Sequence, residues 1–419
     1  MEKSILQGLY NEKYWIDTMI FFESRSYRQQ EKLNVYKSIV ENRSFIQIAD
    51  MVLNRNYVFS YPLRLVVNKF RTGKKKTVYL FDYQDDFLLK VINRILTEEF
   101  AFIISPVCHS FQKQKGAKTA FRSLLNDTEI DNKDCLKTDI RNFFNSIDPV
   151  DFIDQLPVQI KNDNILFDLL RQLLLNKFVR QGIGEIIDDN KGLMAGCPLS
   201  PFLTNIYLRD LDSFFYENNI TYMRYSDDIV IFDFKNKIQM HFETIKNYLA
   251  MKKLEINSSK TEQYSSGELV VFLGFSYLRG RIDLSVVSVQ KMKSKIRRLS
   301  RSFRRGIVRK RLTPEEALKK FIIRINRKLF GIDARENDLC WARWFFPVIN
   351  SSESISILDE YIQNRLRYSV TGKYNAANFK KVPYKLLQES GYIPLKSAYF
   401  AFKTHYEEYL NLLQRNLKN

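Results

Sequence analysis

The run Tyr222-Met223-Arg224-Tyr225-Ser226-Asp227-Asp228-Ile229-Val230-Ile231-Phe232 constrains the fold more than any other stretch. Two apolar, β-prone arms flank a short polar centre, which reads as a hairpin with its tight turn at Ser226-Asp227. The arms are apolar enough to be buried, yet the turn carries adjacent carboxylates. Buried charge without a partner is costly, so a cation beside Asp227 and Asp228 would remove a large penalty. On its own the doublet is equally compatible with a hairpin turn that favours Asp for its local hydrogen bonding. A second doublet, Asp85-Asp86, stands just ahead of Phe87, Leu88, Val91, Ile92, Ile95 and Leu96 at helical spacing. There the carboxylates read as caps of a helix N-terminus.

The surrounding pattern predicts an α+β fold. Residues 27–55 read as helical, and 64–70 and 77–81 as the strands of a hairpin with a basic tip, Arg71-Thr72-Gly73-Lys74-Lys75-Lys76. A helix follows at about 86–99, a strand at 135–140, and mostly helix over 151–180. Gly182 and Gly184 begin a loop or ribbon that ends at 192–201. A long helix over 200–217, the opening hairpin, a helix over 238–254 and a strand pair over 270–277 complete an antiparallel sheet with helices on one face. The character changes near 286: residues 291–311 hold eleven Lys and Arg, among them Lys291, Lys295, Arg298, Arg301 and Arg305, with Ile296, Leu299 and Phe303 between them. From there to 419 the chain reads as helices.

Charge points to the partner. Of 419 residues, 66 are Lys or Arg and 47 Asp or Glu, a net charge of +19, and its clustering suggests a nucleic acid. A composition 45% hydrophobic and 14% aromatic belongs to a folded chain. The four cysteines form no Cys-x-x-Cys pair and the three histidines share no metal spacing, which argues against disulfides and zinc. Without a run of ~20 apolar residues or a signal-peptide layout, the expected location is the cytoplasm, away from membranes.

Asp139, at the end of its predicted strand, offers a third carboxylate. Hard oxygen ligands of this kind suit Mg²⁺, and three at strand ends suit a pair of ions about 3.5–4 Å apart, the clamp for in-line phosphoryl transfer. The motifs around them carry a resemblance. The hairpin over 64–81, the loop Ser110-Phe111-Gln112-Lys113-Gln114-Lys115-Gly116, the stretch Leu136-Lys137-Thr138-Asp139-Ile140-Arg141-Asn142-Phe143-Phe144, the stretch Gly196-Cys197-Pro198-Leu199-Ser200-Pro201, the box Tyr225-Ser226-Asp227-Asp228, the stretch Leu254-Glu255-Ile256-Asn257-Ser258-Ser259-Lys260-Thr261 and Phe272-Leu273-Gly274-Phe275 follow one another as in a reverse transcriptase. The chain resembles bacterial reverse transcriptases of the group II-like and defence-associated, abortive-infection-related kind.

That resemblance implies a right-hand polymerase: fingers over 1–130, a palm with an antiparallel sheet over 131–285 (with a helical insertion at about 151–190), and a basic α-helical thumb and C-terminal region over 286–419. It makes Asp139, Asp227 and Asp228 catalytic ligands of two Mg²⁺ ions, with Mn²⁺ as the alternative, joined by the backbone of Ile140. Lys260 becomes a residue that donates a proton to pyrophosphate or orders it. Arg71, Lys74, Lys75 and Lys76 would neutralise the dNTP triphosphate, Phe144 would exclude a ribose 2′-hydroxyl, and Ala195 and Gly196 would line the nucleotide site. Lys113, Lys115, Tyr225, Leu273, Gly274, Lys291, Lys295, Arg298, Arg301 and Arg305 would touch nucleic acid. Isolated from the resemblance, Phe144 reads equally as core, Lys260 as surface, and the basic hairpin and helix as solvated charge.

One departure stands out. The family usually carries Pro-Gln-Gly where this chain has Met194-Ala195-Gly196, so a polar contact is lost while the metal ligands remain. The altered motif and the absence of RNase H, protease, integrase or nuclease signatures imply cDNA synthesis on a dedicated non-coding RNA in bacterial antiphage defence, as a homo-oligomer or with a second defence protein. The alternatives are a retron or group II intron setting, untemplated or protein-templated synthesis of repetitive DNA, and a catalytically idle RNA-binding protein.

Overall fold

The structure is a computed structural model that describes residues 4–23, 29–68, 75–182, 184–190, 192–331 and 340–417. It contains the strands β1 (Leu63–Asn68), β2 (Lys75–Leu80), β3 (Asp134–Asp139), β4 (Phe178–Gln181), β5 (Glu185–Asp188), β6 (Thr221–Tyr225), β7 (Asp228–Asp233), β8 (Glu262–Tyr264), β9 (Val270–Phe272), β10 (Phe275–Leu278) and β11 (Arg281–Leu284). The chain divides into two compact units, Met1–Ser266 and Gly267–Asn419. The α+β expectation holds, with the strands in three sheets. No described helix is long and apolar enough to cross a membrane.

The first unit has two sheets. One runs β2-β1-β4-β5; β1 and β2 are antiparallel from Leu63 opposite Leu80 to Asn68 opposite Lys75, and β1 meets β4 in parallel. The other runs β6-β7-β3-β8 and is antiparallel throughout. Its inner strand β7 is apolar without alternation because Ile229, Val230 and Ile231 are each 0% exposed, so the strand is covered on both faces. The helices Tyr83–Glu99, Asn164–Leu175 and Ser200–Tyr207 contribute Phe87, Leu88, Leu170, Phe202 and Leu203 to the same core.

Three local expectations change. The helical stretch over 27–55 is two helices, Gln30–Glu41 and Phe45–Leu53, parted where Arg43 adopts φ of 52°. The helix over 200–217 is also two, Ser200–Tyr207 and Arg209–Glu217. Asp85 and Asp86 lie in the first turn of Tyr83–Glu99 but do not cap it; the cap position is Asp82. Both are buried and serve tertiary partners instead. Asp85 accepts from the Tyr57 hydroxyl at 2.5 Å and the Ser60 N–H at 2.9 Å, while Asp86 pairs with Lys32 at 2.7 Å, with Lys90 and with the Tyr36 hydroxyl.

In the second unit the meander β11-β10-β9 precedes helices Val286–Val308, Pro314–Phe330, Trp341–Phe345, Glu353–Thr371 and, among the described residues, four more. The unit begins at Gly267, ahead of the boundary expected near 286, because β11 is fastened to the helical segment. The Ile282 carbonyl accepts from the N–H of Asn350 at 3.0 Å, the Ile282 N–H donates to Asn350 Oδ1 at 2.7 Å, and Asp283 accepts from the Ser351 hydroxyl at 3.1 Å.

Candidate active site

The register of the antiparallel sheet brings the carboxylates together. Asp139 closes β3 and Asp228 opens β7, and the two are direct cross-strand partners. Tyr225 pairs with Asp228 across the hairpin, leaving Ser226-Asp227 as a two-residue turn. The Ile140 N–H donates to the Asp227 carbonyl at 3.0 Å, so the turn is fastened to the chain just past β3. Asp139 is buried at 4% exposure, and Asp227 and Asp228 are half-buried.

Lys260 arrives from a separate segment. The Asp139 carbonyl accepts from the Asn257 N–H at 2.7 Å and Asp139 Oδ1 accepts from Asn257 Nδ2 at 2.8 Å; the following 3₁₀ turn, Ser258–Lys260, places the Lys260 ammonium on Asp139 Oδ2. Burial draws the Lys260 pKa down, but the Asp139 carboxylate, with Asp228 and Asp227 adding, leaves it raised. Burial and then the Asp139 charge raise Asp227 above the usual carboxylate range. Burial, then Asp227 and Asp139, push Asp228 up to about 6. These are carboxylates crowded at a cost.

As the side chains stand, no three His, Cys, Asp or Glu among the described residues close around a metal ion, and Asp139 spends both oxygens on Asn257 and Lys260. The donor set nonetheless fits a hard divalent cation. Its ligands are oxygens, Asp227 and Asp228 are raised by burial and then by neighbouring carboxylates, and the Lys260 ammonium already occupies one carboxylate as a positive charge.

The turn itself is over-determined. Ser226 holds φ of 63°, a left-handed conformation unusual for a residue with a Cβ. Its N–H donates to Ser110 Oγ at 2.9 Å and its carbonyl accepts from Arg224 Nη1 at 3.1 Å. Arg224 and Asp212 are both 0% exposed; Arg224 Nε donates to Asp212 Oδ1 at 2.8 Å, Nη2 to Oδ2, and Nη1 to Asn205 Oδ1 at 3.2 Å. Tyr222 donates to the same Asp212 at 2.8 Å. Sequence reasoning missed Arg224, Asp212, Asn205 and Asn257. The available signal was Arg224 itself, a cation in an apolar strand that must find a buried carboxylate.

A second group surrounds Tyr79. The Tyr79 N–H donates to the Ala195 carbonyl at 2.9 Å, and the Ala195 N–H donates to Asn145 Oδ1 at 2.9 Å. Gly196 has φ of 112°, and a Cβ there would lie 2.6 Å from the Tyr79 carbonyl oxygen, so only glycine fits. Phe144, half-buried against Phe143, accepts the Leu193 N–H at 2.8 Å through its carbonyl. Ala195 is buried and engaged through its backbone.

The remaining predicted residues are dispersed. Lys75 and Lys76 are exposed at the start of β2, while Arg71 and Lys74 lie outside the described residues. Lys113 pairs with Glu98 at 3.2 Å, and Lys115 donates to the carbonyls of Pro106 and Cys108 at 3.2 and 3.3 Å. Tyr225 is half-buried. In the second unit Leu273 and Gly274 form the β9–β10 turn, whose Gly274 carbonyl accepts from Ser285 N–H at 2.9 Å and Ser288 Oγ at 2.8 Å. Lys291, Lys295, Arg298, Arg301 and Arg305 are exposed on Val286–Val308, whose other side buries Val289, Met292, Ile296, Ser300 and Phe303.

Residues 73–277 match the family described as reverse transcriptase (RNA-dependent DNA polymerase). The chain is 25% identical over 195 residues to the group II intron-encoded protein LtrA of Lactococcus lactis subsp. cremoris, covering 46% of this chain and 31% of LtrA. It is 36% identical over 101 residues to the retron Ec83 reverse transcriptase of Escherichia coli, covering 22% of this chain and 30% of that enzyme. These matches span less than a third of either relative's length. Among solved structures, telomerase from Candida tropicalis superimposes with a TM-score of 0.43 at 12% identity, covering 54% of this chain and 55% of that one. Telomerase from Candida albicans does so with a TM-score of 0.41 at 9% identity, covering 84% and 66%.

Proposed function

We propose that this chain, whose residues 73–277 form a reverse transcriptase domain, is an RNA-directed DNA polymerase. The observation that carries the reading is the register that sets Asp139 opposite Asp228 beside the Asp227 turn, with Lys260 on Asp139. In this reading residues 1–130 act as fingers, 131–285 as palm and 286–419 as thumb and C-terminal region.

Asp139 and Asp227, assisted by Asp228 and the backbone of Ile140, would hold two Mg²⁺ ions, Mn²⁺ being the alternative. Bound there, the ions supply a Lewis-acid clamp for in-line attack of a 3′-hydroxyl on the α-phosphorus of a dNTP. The 3′-oxygen gives up its proton to solvent water as the new O–P bond forms and the bond to pyrophosphate breaks. Lys260, kept protonated by its carboxylate neighbours, donates a proton to the departing pyrophosphate. Lys75 and Lys76, with Arg71 and Lys74, neutralise the triphosphate. Phe144 stands against a 2′-hydroxyl and so selects dNTPs, beside Ala195 and Gly196. Lys113, Lys115, Tyr225, Leu273 and Gly274 contact template and primer, and the exposed stripe of Val286–Val308 follows phosphates.

The setting we propose is antiphage defence in the bacterial cytoplasm, with a dedicated non-coding RNA as template. The retron enzyme among the relatives favours a retron setting as the second reading. Sequencing of nucleic acid that co-purifies with the protein tests both, beside an Asp227→Ala/Asp228→Ala control. One RNA with complementary DNA that disappears in the control supports templated synthesis. DNA with no complementary RNA points to untemplated synthesis, and RNA alone in both samples counts against the polymerase reading.

A further inference from the structure

The second unit contains a cavity of about 380 Å³ between the helices Val286–Val308, Pro314–Phe330 and Trp341–Phe345. It is lined by Lys295 and Lys328 and by Met292, Trp341, Trp344 and Phe345. Two features set it apart from a packing defect in a helical core. The first is its charge. Among the described residues no carboxylate lines it, and neither lysine has a carboxylate partner. Lys295 is exposed as a whole, yet partial burial first, and then Lys328, Arg298 and Lys291, lower its pKa, so other cations stand near it. An anion between them would relieve that cost.

The second feature is the aromatic wall. Phe345 is anchored in the core, with its ring 5.1 Å from Phe275 and 4.9 Å from Trp341. Trp341 and Trp344 are only half-buried and keep part of their surface open at the cavity. Indole faces bind planar bases irrespective of sequence. The volume lies at the lower end of the about 300–1,000 Å³ typical of small-ligand sites, suited to one nucleotide and not to a duplex.

We propose that this cavity captures one nucleotide of a single-stranded segment of RNA or DNA, with the base against Trp341 or Trp344 and the phosphate at Lys295 and Lys328. A helix face that merely follows duplex phosphates has no use for the two indoles. The inference rests on a nucleic-acid partner, as the proposed function does, but not on the polymerase chemistry.

Tryptophan fluorescence of the full chain tests it, because the third tryptophan, Trp15, is 0% exposed and inaccessible to a stacking base. The probes are single-stranded oligo-rA and oligo-dA, AMP, inorganic phosphate and a blunt DNA duplex. The expected result is saturable quenching by a single strand, with weaker binding of AMP and no quenching by phosphate. The tighter of oligo-rA and oligo-dA identifies the source of the strand. Lys328→Ala should weaken that binding about ten-fold, the scale of one charged contact, and of Trp341→Leu and Trp344→Leu the one that removes the stacking indole should weaken binding of a labelled strand. The proposal is overturned if single strands do not quench, if the duplex quenches equally, if AMP binds as tightly as the strand, or if Lys328→Ala binds normally. Nucleotide incorporation is measured on the same samples; its absence with quenching intact would count against the polymerase reading alone.

Discussion

Asp228→Asn is expected to stabilise the metal-free protein while disabling the site. Asparagine has nearly the same shape as aspartate and carries no charge. Burial, Asp227 and Asp139 raise Asp228 from 3.8 to about 6. A shift of roughly two pH units corresponds to about 3 kcal/mol. The sign follows from proton binding: the folded state holds the proton more tightly than the unfolded state. The contribution of Asp228 to stability is therefore fully present below pH 3.8 and lost as pH rises through about 6. Above that pH the wild type carries the whole penalty and the asparagine variant does not. Urea denaturation in EDTA at pH 7.5 should thus show the variant more stable by about 2–3 kcal/mol, and the gap should close as the pH falls toward 4. Added Mg²⁺ should stabilise the wild type by binding and the variant much less. The reasoning is refuted if the variant is no more stable than wild type at pH 7.5, or if its advantage persists unchanged at pH 4.

The buried pair beneath the turn makes a prediction of opposite sign. Arg224→Met strands the Asp212 charge and should cost about 3–5 kcal/mol in denaturation. Arg224→Met/Asp212→Leu should recover much of that stability yet incorporate nucleotides poorly, because the Ser226 carbonyl still lacks its donor. Gly196→Ala forces a Cβ against the Tyr79 carbonyl at a left-handed φ and should lower stability by about 1–3 kcal/mol, read as a drop in melting temperature. Lys260→Ala should slow single-turnover incorporation by about 100-fold or more, while thermal denaturation in EDTA changes far less than that rate.

The features legible along the chain are local. The arms of β6 and β7, the two-residue turn between them, the basic hairpin and the amphipathic basic helix are each written within some twenty residues, where hydrophobic period and turn chemistry act directly. The order of the short motifs sufficed to indicate the family. Tertiary structure decided which polar groups meet. Lys260 and Asp139 are 121 positions apart, and only the packing of the segment after Leu254 on β3 joins them. Asp85 and Asp86 look like caps by spacing, but burial presents them to Tyr57, Ser60, Lys32 and Lys90. The β9–β11 meander follows the β6-β7-β3-β8 sheet in the chain yet folds with the helices after it, because Ile282 and Asp283 find their hydrogen-bond partners at Asn350 and Ser351. A buried polar group must be satisfied by whatever the packed chain brings within about 3 Å, and no pattern of neighbours along the sequence names that partner in advance.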